Sequence, residues 1–331
     1  MKEILNYLFE HKTLDKTTAR QVFINMAQGK YNNSQMAAFM TVFLMRSITV
    51  EELGGFRDAM LELCIPFDTK GIPAIDVCGT GGDGKNTFNI STLVAFVVAG
   101  AGVKVVKHGN YGVSSIAGSS NILEYFGYQF TNDQEKLLKM LETAGIAFLH
   151  APMFHPALKN VAPIRRELGV KTFFNMLGPM VNPAFPAYQM VGVFSLELAR
   201  KYGYLYQQTD KKFAIVHSID GYDEISLTSP CKLINLQGEH ILTAEDFGSS
   251  PKDPQELYGG DTVEEAAKIF MQVLEGKGTP TQNEVVIANA AIALQTVTPS
   301  VDLPDALERA RCSLLGGKAL QSFRKLISIQ S

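Results

Sequence analysis

The sequence predicts an α/β protein in which a small helical bundle domain precedes a larger α/β domain with a mostly parallel central sheet. Helical periodicity without strand-like alternation fills residues 1–70. From Ile72 the sequence changes to short apolar runs that end in glycine and alternate with helical patterns, which is typical of buried parallel strands. We therefore expect a helical domain at 1–70 and an α/β domain at 72–331, with part of 155–185 as a candidate addition to the helical domain.

Composition places the chain among globular proteins and limits its partners. Hydrophobic residues make up 46% of the 331 positions and charged residues 19%, so a large core can form. A net charge of -3 gives no general attraction to nucleic acid, so a bound anion needs a local site. The sequence has no apolar run long enough to cross a membrane and no signal-peptide pattern. We expect a cytoplasmic protein without nucleic-acid or membrane partners.

The four cysteines do not indicate a metal or disulfide framework. They are Cys64, Cys78, Cys231 and Cys312, and they lie too far apart for a C-x-x-C motif. The sequence therefore predicts reduced thiols.

Three helices are predicted in the first 70 residues. The first carries an apolar stripe that includes Leu5 and Phe9. The second begins behind an N-cap candidate at Ser34, and Thr49 with Glu52 forms a capping box at the start of the third.

The remainder of the chain alternates strand and helix patterns. Thr262 and Glu265 predict the start of a capped helix. Residues 151–187 are rich in Pro, Asn and Phe, which favours a long structured loop or a return crossing into the helical domain. Four buried strands are predicted, at AIDVCGTGG (74–82), VKVVKHGN (103–110), YQMVGVFS (188–195) and KFAIVHS (212–218).

A glycine-rich segment, DVCGTGGDGKNTFNIST at 76–92, follows the first predicted strand. Glycine lets backbone N–H groups approach an anion closely, and the helix that opens at Asn89 adds about half a positive charge at its N-terminus. The spacing matches neither of the common nucleotide-binding loops, G-x-x-x-x-G-K-[ST] and G-x-G-x-x-G. We interpret the segment as a phosphate-binding loop. A strand-to-helix turn without a ligand is the alternative.

A second polar segment, VKVVKHGNYGVSSIAGSS at 103–120, supports the phosphate-binding interpretation. Its strand ends in Lys107, and serines 114, 115 and 119 follow. In open α/β sheets, ligands bind beyond the carboxyl ends of the strands, so the two segments are expected to meet at one crevice. One lysine and many neutral donors suit a sugar phosphate.

These segments resemble the signature motifs of anthranilate phosphoribosyltransferases. The similarity covers residues 76–92 and 103–124, continues through FHPALKNVAPIRRELGVKTFFNMLGPMVNPA at 154–184 and DGYDE at 220–224, and includes the helical N-terminal segment. It implies a pentosyltransferase of tryptophan biosynthesis that joins the phosphoribosyl group of phosphoribosyl pyrophosphate to the amine of anthranilate. It also implies a magnesium requirement and a homodimer formed through the helical domain.

The resemblance implies which residues bind each ligand. Asp223 and Glu224, with Ser91, are expected to hold magnesium, which prefers hard oxygen ligands and substrate phosphates. Anthranilate is expected at Gly79, His108, Asn110 and Arg165. Phosphoribosyl pyrophosphate is expected at Gly79, Gly82, Asp83, Thr87, Asn89, Ser91, Thr92, Lys107, Ser115 and Ser119.

Three residues depart from the usual family pattern. Tyr111 and Ile116 stand where the family commonly has basic residues, and Asn121 stands where an acidic residue is common. The loss of two cations beside a phosphate-binding loop would weaken anion binding. Because a carboxylate is lost with them, the pattern indicates linked replacement of a charge network.

The expected chemistry is displacement at the anomeric carbon of ribose as pyrophosphate leaves. No covalent nucleophile is assigned, because an aniline-type amine is already neutral. Two alternatives stay open. A pyrimidine nucleoside phosphorylase would share the architecture but needs one phosphate site and no Asp-Glu metal pair. A nucleic-acid-binding relative would carry a basic stripe, whereas the charges of this chain are mixed and net acidic.

Overall fold

A computed structural model describes residues 1–112 and 115–329 and contains two compact units. The helical unit comprises Met1–Pro66 and Ala151–Pro183, and the α/β unit comprises Phe67–His150 and Ala184–Ser331. The predicted fold class is confirmed: one part is a helical bundle, and the larger part carries a mostly parallel seven-stranded sheet.

The elements follow one another in chain order. They are α1 (Lys2–Phe9), α2 (Lys16–Ala27), α3 (Asn33–Met45), α4 (Val50–Glu62), β1 (Ile75–Gly79), α5 (Ile90–Gly100), β2 (Val105–Gly109), α6 (Ser119–Tyr125), α7 (Gln134–Thr143), β3 (Ile146–His150), α8 (Ala151–Phe154), α9 (Ala162–Leu168), β4 (Tyr188–Gly192), α10 (Leu196–Tyr206), β5 (Lys212–Ser218), β6 (Cys231–Asn235), β7 (Gly238–Leu242), α11 (Val263–Leu274), α12 (Pro280–Val297), α13 (Leu303–Leu315) and α14 (Lys318–Ser328). None of the helices in the part of the chain that the structure describes has both the length and the apolar character needed to cross a membrane.

The helical unit is held together by a cluster of aromatic rings. Because rings from the 151–183 segment pack between rings of the N-terminal helices, that segment belongs to the core of this unit. Neighbouring ring centroids lie 4.5 to 6.2 Å apart, and the cluster consists of Phe23, Phe39, Phe43, Phe56, Phe173 and Phe174.

The helix starts partly differ from prediction. The Thr49 capping box is confirmed, because Thr49 and Glu52 exchange backbone and side-chain hydrogen bonds at the start of α4. The N-cap of α3 is Asn32 rather than Ser34. Asn32 is the N-cap because its side chain accepts from the N–H of Gln35 and the Gln35 side chain accepts from the N–H of Asn32. This exchange satisfies two backbone donors. Helix α2, capped by Asp15, was not predicted.

The sheet has the order β3-β2-β1-β4-β5-β6-β7. The four predicted strands correspond to β1, β2, β4 and β5, and with β3 they run parallel, whereas β6 and β7 extend the sheet as antiparallel strands. From β1 the chain moves to β2 on one side and later returns to β4 on the other. Such a change of direction opens a crevice at the carboxyl ends of the two strands, where ligands bind in open α/β sheets.

Candidate active site

Two glycines at the carboxyl ends of β1 and β4 make room for an acidic residue. Gly79 pairs with Gly192 across the strands, at the place where the strand order changes direction. A Cβ on Gly79 would lie 2.4 Å from the Asp223 Oδ2, and a Cβ on Gly192 would lie 1.5 Å from the Asp223 carbonyl oxygen. Only glycine therefore allows Asp223 to sit directly against both strand ends.

The glycine loop is fastened to the same aspartate. The backbone N–H of Gly81 donates to Asp223 Oδ2 at 2.7 Å. Positive φ angles at glycines 81, 82 and 84 turn the loop, and the Asp83 carboxylate accepts from the Lys85 N–H at 3.0 Å. Thr87 forms a bridge with Tyr258, which holds the far end of the loop.

The loop leads into α5, whose first turn faces polar groups. Asn89 is the N-cap residue, and its side-chain amide donates to the carbonyl oxygen of Ala117 at 2.8 Å, which joins the glycine loop to the segment after β2. The backbone N–H of Ser91 donates to Glu224, and Thr92 is buried. The Asn89 side chain itself does not cap the helix, and the side chain bonded to the first turn is that of Glu224, through the Ser91 N–H.

Asp223 and Glu224 form a buried pair of like charges. Their exposed fractions are 7% and 9%. Burial, followed by the charge of Asp83, raises the pKa of Asp223 to about 7. Burial and the neighbouring Asp223 raise the pKa of Glu224 well above its ordinary value, although Lys107 opposes that rise. Two carboxylates in one buried place favour a bound cation, because a cation would offset both burial and repulsion.

These residues fit magnesium held jointly with a ligand. Among residues 1–112 and 115–329, no group of three or more His, Cys, Asp or Glu side chains is arranged to bind a metal by itself. Magnesium is usually held by one or two carboxylates together with waters and substrate phosphates. A buried carboxylate pair beside a glycine loop and a helix N-terminus is consistent with that kind of site.

Lys107 lies beneath the loop rather than on the surface. Only 2% of the residue is exposed, and its amine donates to the Val77 carbonyl oxygen at 2.7 Å and to Ser91 Oγ at 3.3 Å. Burial lowers its pKa, while nearby acidic groups act in the opposite direction. The amine thus contributes a fixed positive potential next to Ser91 and Glu224.

The segment after β2 carries the other predicted contacts of the α/β unit. His108 is buried, and its backbone N–H donates to Asp76 Oδ1 at 3.2 Å. The carbonyl oxygen of Asn110, which is exposed, accepts from the Ser119 hydroxyl at 3.3 Å. Ser115 donates to the Ala117 carbonyl oxygen at 3.4 Å. The serine predicted at position 114 lies outside the described residues.

The departures at 111, 116 and 121 have separate structural surroundings. Asn121 Oδ1 accepts from the backbone N–H groups of Gly112 and Gly118 at 3.0 and 2.9 Å, so a neutral amide oxygen ties the loop together. Tyr111 donates from its hydroxyl to Glu124 at 3.3 Å. Ile116 is 47% exposed. The polar network around the loop is therefore built without the two basic side chains.

Arg165 lies in the helical unit, on α9. Its guanidinium stacks 4.9 Å from the centre of the Phe174 ring and lies 3.5 Å from Asn175 Oδ1. No carboxylate among the described residues pairs with it, and burial alone lowers its pKa. The neighbouring Arg166 is exposed. A half-buried guanidinium that lacks an acidic partner and is held against a ring is suited to an anionic ligand.

The predicted site residues of the α/β unit thus gather at one end of the sheet, and two supporting residues were missed. Gly192 was interpreted only as part of a strand. Asn289, fully buried on α12, donates to and accepts from the backbone of Ile225, next to Glu224. An isolated Asn in the apolar run VVIANAAIAL was the available signal, because a buried amide needs specific partners.

The chain matches known proteins along nearly its whole length. Residues 71–320 match a model described as glycosyl transferase family, a/b domain, and residues 2–64 match its helical bundle domain. The anthranilate phosphoribosyltransferase of Flavobacterium johnsoniae is 59% identical over 326 residues, 98% of each chain. That of Christiangramia forsetii is 58% identical over 326 residues, again 98% of each chain.

Solved structures agree with this similarity. The crystal structure of anthranilate phosphoribosyltransferase from Thermus thermophilus has a TM-score of 0.91 at 31% identity and covers 98% of both chains. The Saccharomyces cerevisiae enzyme, in complex with phosphoribosyl pyrophosphate and magnesium, has a TM-score of 0.88 at 25% identity, over 96% of this chain and 93% of that one.

Proposed function

Because this chain belongs to the anthranilate phosphoribosyltransferase family, we infer that it transfers the phosphoribosyl group of phosphoribosyl pyrophosphate to anthranilate. The products are N-(5-phosphoribosyl)anthranilate and pyrophosphate, and the reaction belongs to tryptophan biosynthesis. The comparisons favour neither a nucleoside phosphorylase nor a nucleic-acid-binding relative. The observation that carries this function is the buried Asp223-Glu224 pair fastened to the glycine loop.

The donor site proposed here follows the glycine loop and the start of α5. Backbone N–H groups of the loop and the first turn of α5, which the Asn89 side chain does not cap, would offer donors to the pyrophosphate. We assign phosphoribosyl pyrophosphate to the residues expected from the sequence, which are Gly79, Gly82, Asp83, Thr87, Asn89, Ser91, Thr92, Lys107, Ser115 and Ser119. Lys107 would contribute positive charge next to Ser91 from its buried position, since its amine is bonded to Val77 and Ser91.

Magnesium would be held by Asp223 and Glu224, with Ser91 beside them. When bound, the ion neutralises charge that develops on the leaving pyrophosphate. Support comes from the raised pKa values of both carboxyl groups and from the magnesium named in the Saccharomyces cerevisiae complex. Asn289 keeps the turn rigid by holding Ile225.

Anthranilate has a carboxylate and an amine, which call for different partners. We propose Arg165 for the carboxylate, because its guanidinium has no acidic partner among the described residues and is held by Phe174. Asn110, with His108 and Gly79, is proposed to border the amine. The site would then orient a neutral amine toward the anomeric carbon, and rate acceleration would come from positioning and from electrostatic stabilisation.

The setting proposed for this enzyme is the cytoplasm, where it would act as a homodimer joined through the helical domain. Its partners would be the two small-molecule substrates, without nucleic acid or membrane. We also propose the domain division expected from the sequence, with a helical domain at 1–70 joined by part of 155–185 and an α/β domain within 72–331. The two compact units, although their bounds differ by a few residues, support this division.

Measuring both candidate reactions on one preparation tests this function. Pyrophosphate release from phosphoribosyl pyrophosphate is measured with anthranilate present and absent, and phosphorolysis of thymidine and uridine is measured in parallel. We expect anthranilate-dependent pyrophosphate release and no phosphorolysis. Phosphorolysis without anthranilate-dependent release would overturn the assignment.

A further inference from the structure

Three aromatic rings, those of Tyr111, Phe130 and His150, pack together beside the loop that follows β2, and the proposed function gives them no role. Tyr111 places its ring edge-on to Phe130 and to His150, with centroids 6.3 and 5.0 Å apart. Phe130 stacks on His150 at 4.2 Å and 15°. The Tyr111 residue is 40% exposed, whereas His150 is buried. The Tyr111 ring therefore lies against a stacked pair of rings, Phe130 and His150, of which His150 ends β3.

Hydrogen bonds connect His150 to Asn110 through Ser120. The Ser120 hydroxyl and His150 Nδ1 lie 2.9 Å apart in a hydrogen bond, and Ser120 is fully buried. The backbone N–H of Ser120 donates to the carbonyl oxygen of Asn110 at 3.1 Å. On the other side, the backbone N–H of Tyr111 donates to Asn110 Oδ1 at 2.8 Å. Asn110 is thus held at two atoms: its carbonyl oxygen is bonded to Ser120, and its side-chain oxygen is bonded to the backbone of Tyr111.

We propose that Tyr111 is a positioning residue: its ring, packed on Phe130 and His150, fixes the side chain of Asn110 for the acceptor amine. The proposal rests on the proposed function for the identity of the acceptor. The ring provides the contact surface, whereas the hydroxyl donates to the exposed carboxylate of Glu124 at 3.3 Å.

The kinetic test compares three variants. Tyr111→Ala removes the ring and should raise the KM for anthranilate about tenfold, the loss expected when one oriented hydrogen bond is no longer held. The KM for phosphoribosyl pyrophosphate should change less than about twofold. Tyr111→Phe keeps the ring and should match wild type. Tyr125→Ala is the matched control, because Tyr125 is 50% exposed and packs its ring edge on Phe126 without contact to Asn110.

Hydrogen–deuterium exchange tests the same proposal without using activity. In Tyr111→Ala, the backbone amides at positions 111 and 120 should exchange at least about fivefold faster, because their acceptors on Asn110 are no longer held in place. The amides of β1 should be unchanged, which shows that the fold is intact. Tyr125→Ala should leave exchange at both amides as in wild type.

Three results would overturn the proposal. They are unchanged exchange and kinetics in Tyr111→Ala, equal increases in both KM values, and a Tyr111→Phe variant as impaired as Tyr111→Ala. Failure of the proposed function looks different: wild type would then form no phosphoribosyl-anthranilate, and the exchange of the Asn110-linked amides would still decide whether Tyr111 positions that residue.

Discussion

Replacing Asp223 with Asn and Glu224 with Gln removes both charges of the buried pair while keeping the side-chain sizes. The amide oxygen of Asn at 223 can still accept from the Gly81 N–H, so the loop keeps its fastening. If the pair holds magnesium against the pyrophosphate, the double variant loses several kcal/mol of stabilisation at the leaving group. We expect turnover to fall at least about a hundredfold, since 1.36 kcal/mol corresponds to about tenfold in rate.

The thermal stability of the same variant should not fall with its turnover. The pKa of Asp223 is raised from 3.8 to about 7. A raised pKa in the folded state gives stability that is present below pH 3.8 and is lost as the pH rises through about 7. At pH 8 without magnesium, the ionised Asp223 costs up to about 4 kcal/mol. Because the amide removes this cost, the variant should melt no lower than wild type.

The assay pairs steady-state turnover in saturating magnesium with thermal melting at pH 8 without it. The matched control is Glu245→Gln with Asp246→Asn, an exposed acidic pair outside the site, which should keep wild-type turnover. Near-normal, magnesium-dependent turnover of the Asp223 and Glu224 variant would refute the reasoning. A large loss of melting temperature would instead show that the pair is structural.

Three further predictions concern other parts of the molecule. Arg165→Ala should raise the KM for anthranilate roughly tenfold to more than a hundredfold, from about 1.5–3 kcal/mol, with the KM for phosphoribosyl pyrophosphate and the Arg166→Ala control nearly unchanged; equal effects on both substrates would refute it. Gly192→Ala should lower kcat at least about a hundredfold, because its Cβ would displace the backbone of Asp223, and wild-type kcat would disprove that placement. Glu52→Gln should cost up to about 3 kcal/mol in urea unfolding at pH 7, since it breaks the ion pair between the partly exposed Arg46 and the fully buried carboxylate of Glu52. Burial raises the pKa of Glu52, but hydrogen bonds from Arg46 and backbone N–H groups lower it overall, so the difference should shrink as the pH falls below 4.5, and a constant difference would contradict this account.

The features that sequence predicted well have local causes. A capping box at Thr49 requires only residues three apart, and the parallel strands appear as continuous apolar runs because both faces are buried. Helix α5 was predicted from its position after the glycine loop, and the helix begins at Ile90 behind Asn89 as expected. These patterns are complete within short windows of sequence.

The features that were missed depend on contacts between distant segments. Gly192 is needed only because the backbone of Asp223 crosses it, and no pattern around 192 reveals that approach. The packing of Tyr111 depends on Phe130, which lies before α7, and on His150, the last residue of β3. One missed feature has a local cause instead: Asn32 and Ser34 are both good capping residues, and the reciprocal bond of Asn32 with Gln35 makes Asn32 the N-cap.

The central claim is tested most directly by following anthranilate fluorescence in the presence of phosphoribosyl pyrophosphate, with magnesium and then with the metal chelated. We predict conversion to phosphoribosyl-anthranilate, with pyrophosphate released in equal amount, and a loss of conversion on chelation that added magnesium restores. No consumption of anthranilate under any magnesium concentration, by a protein with a cooperative melting transition, would contradict the claim.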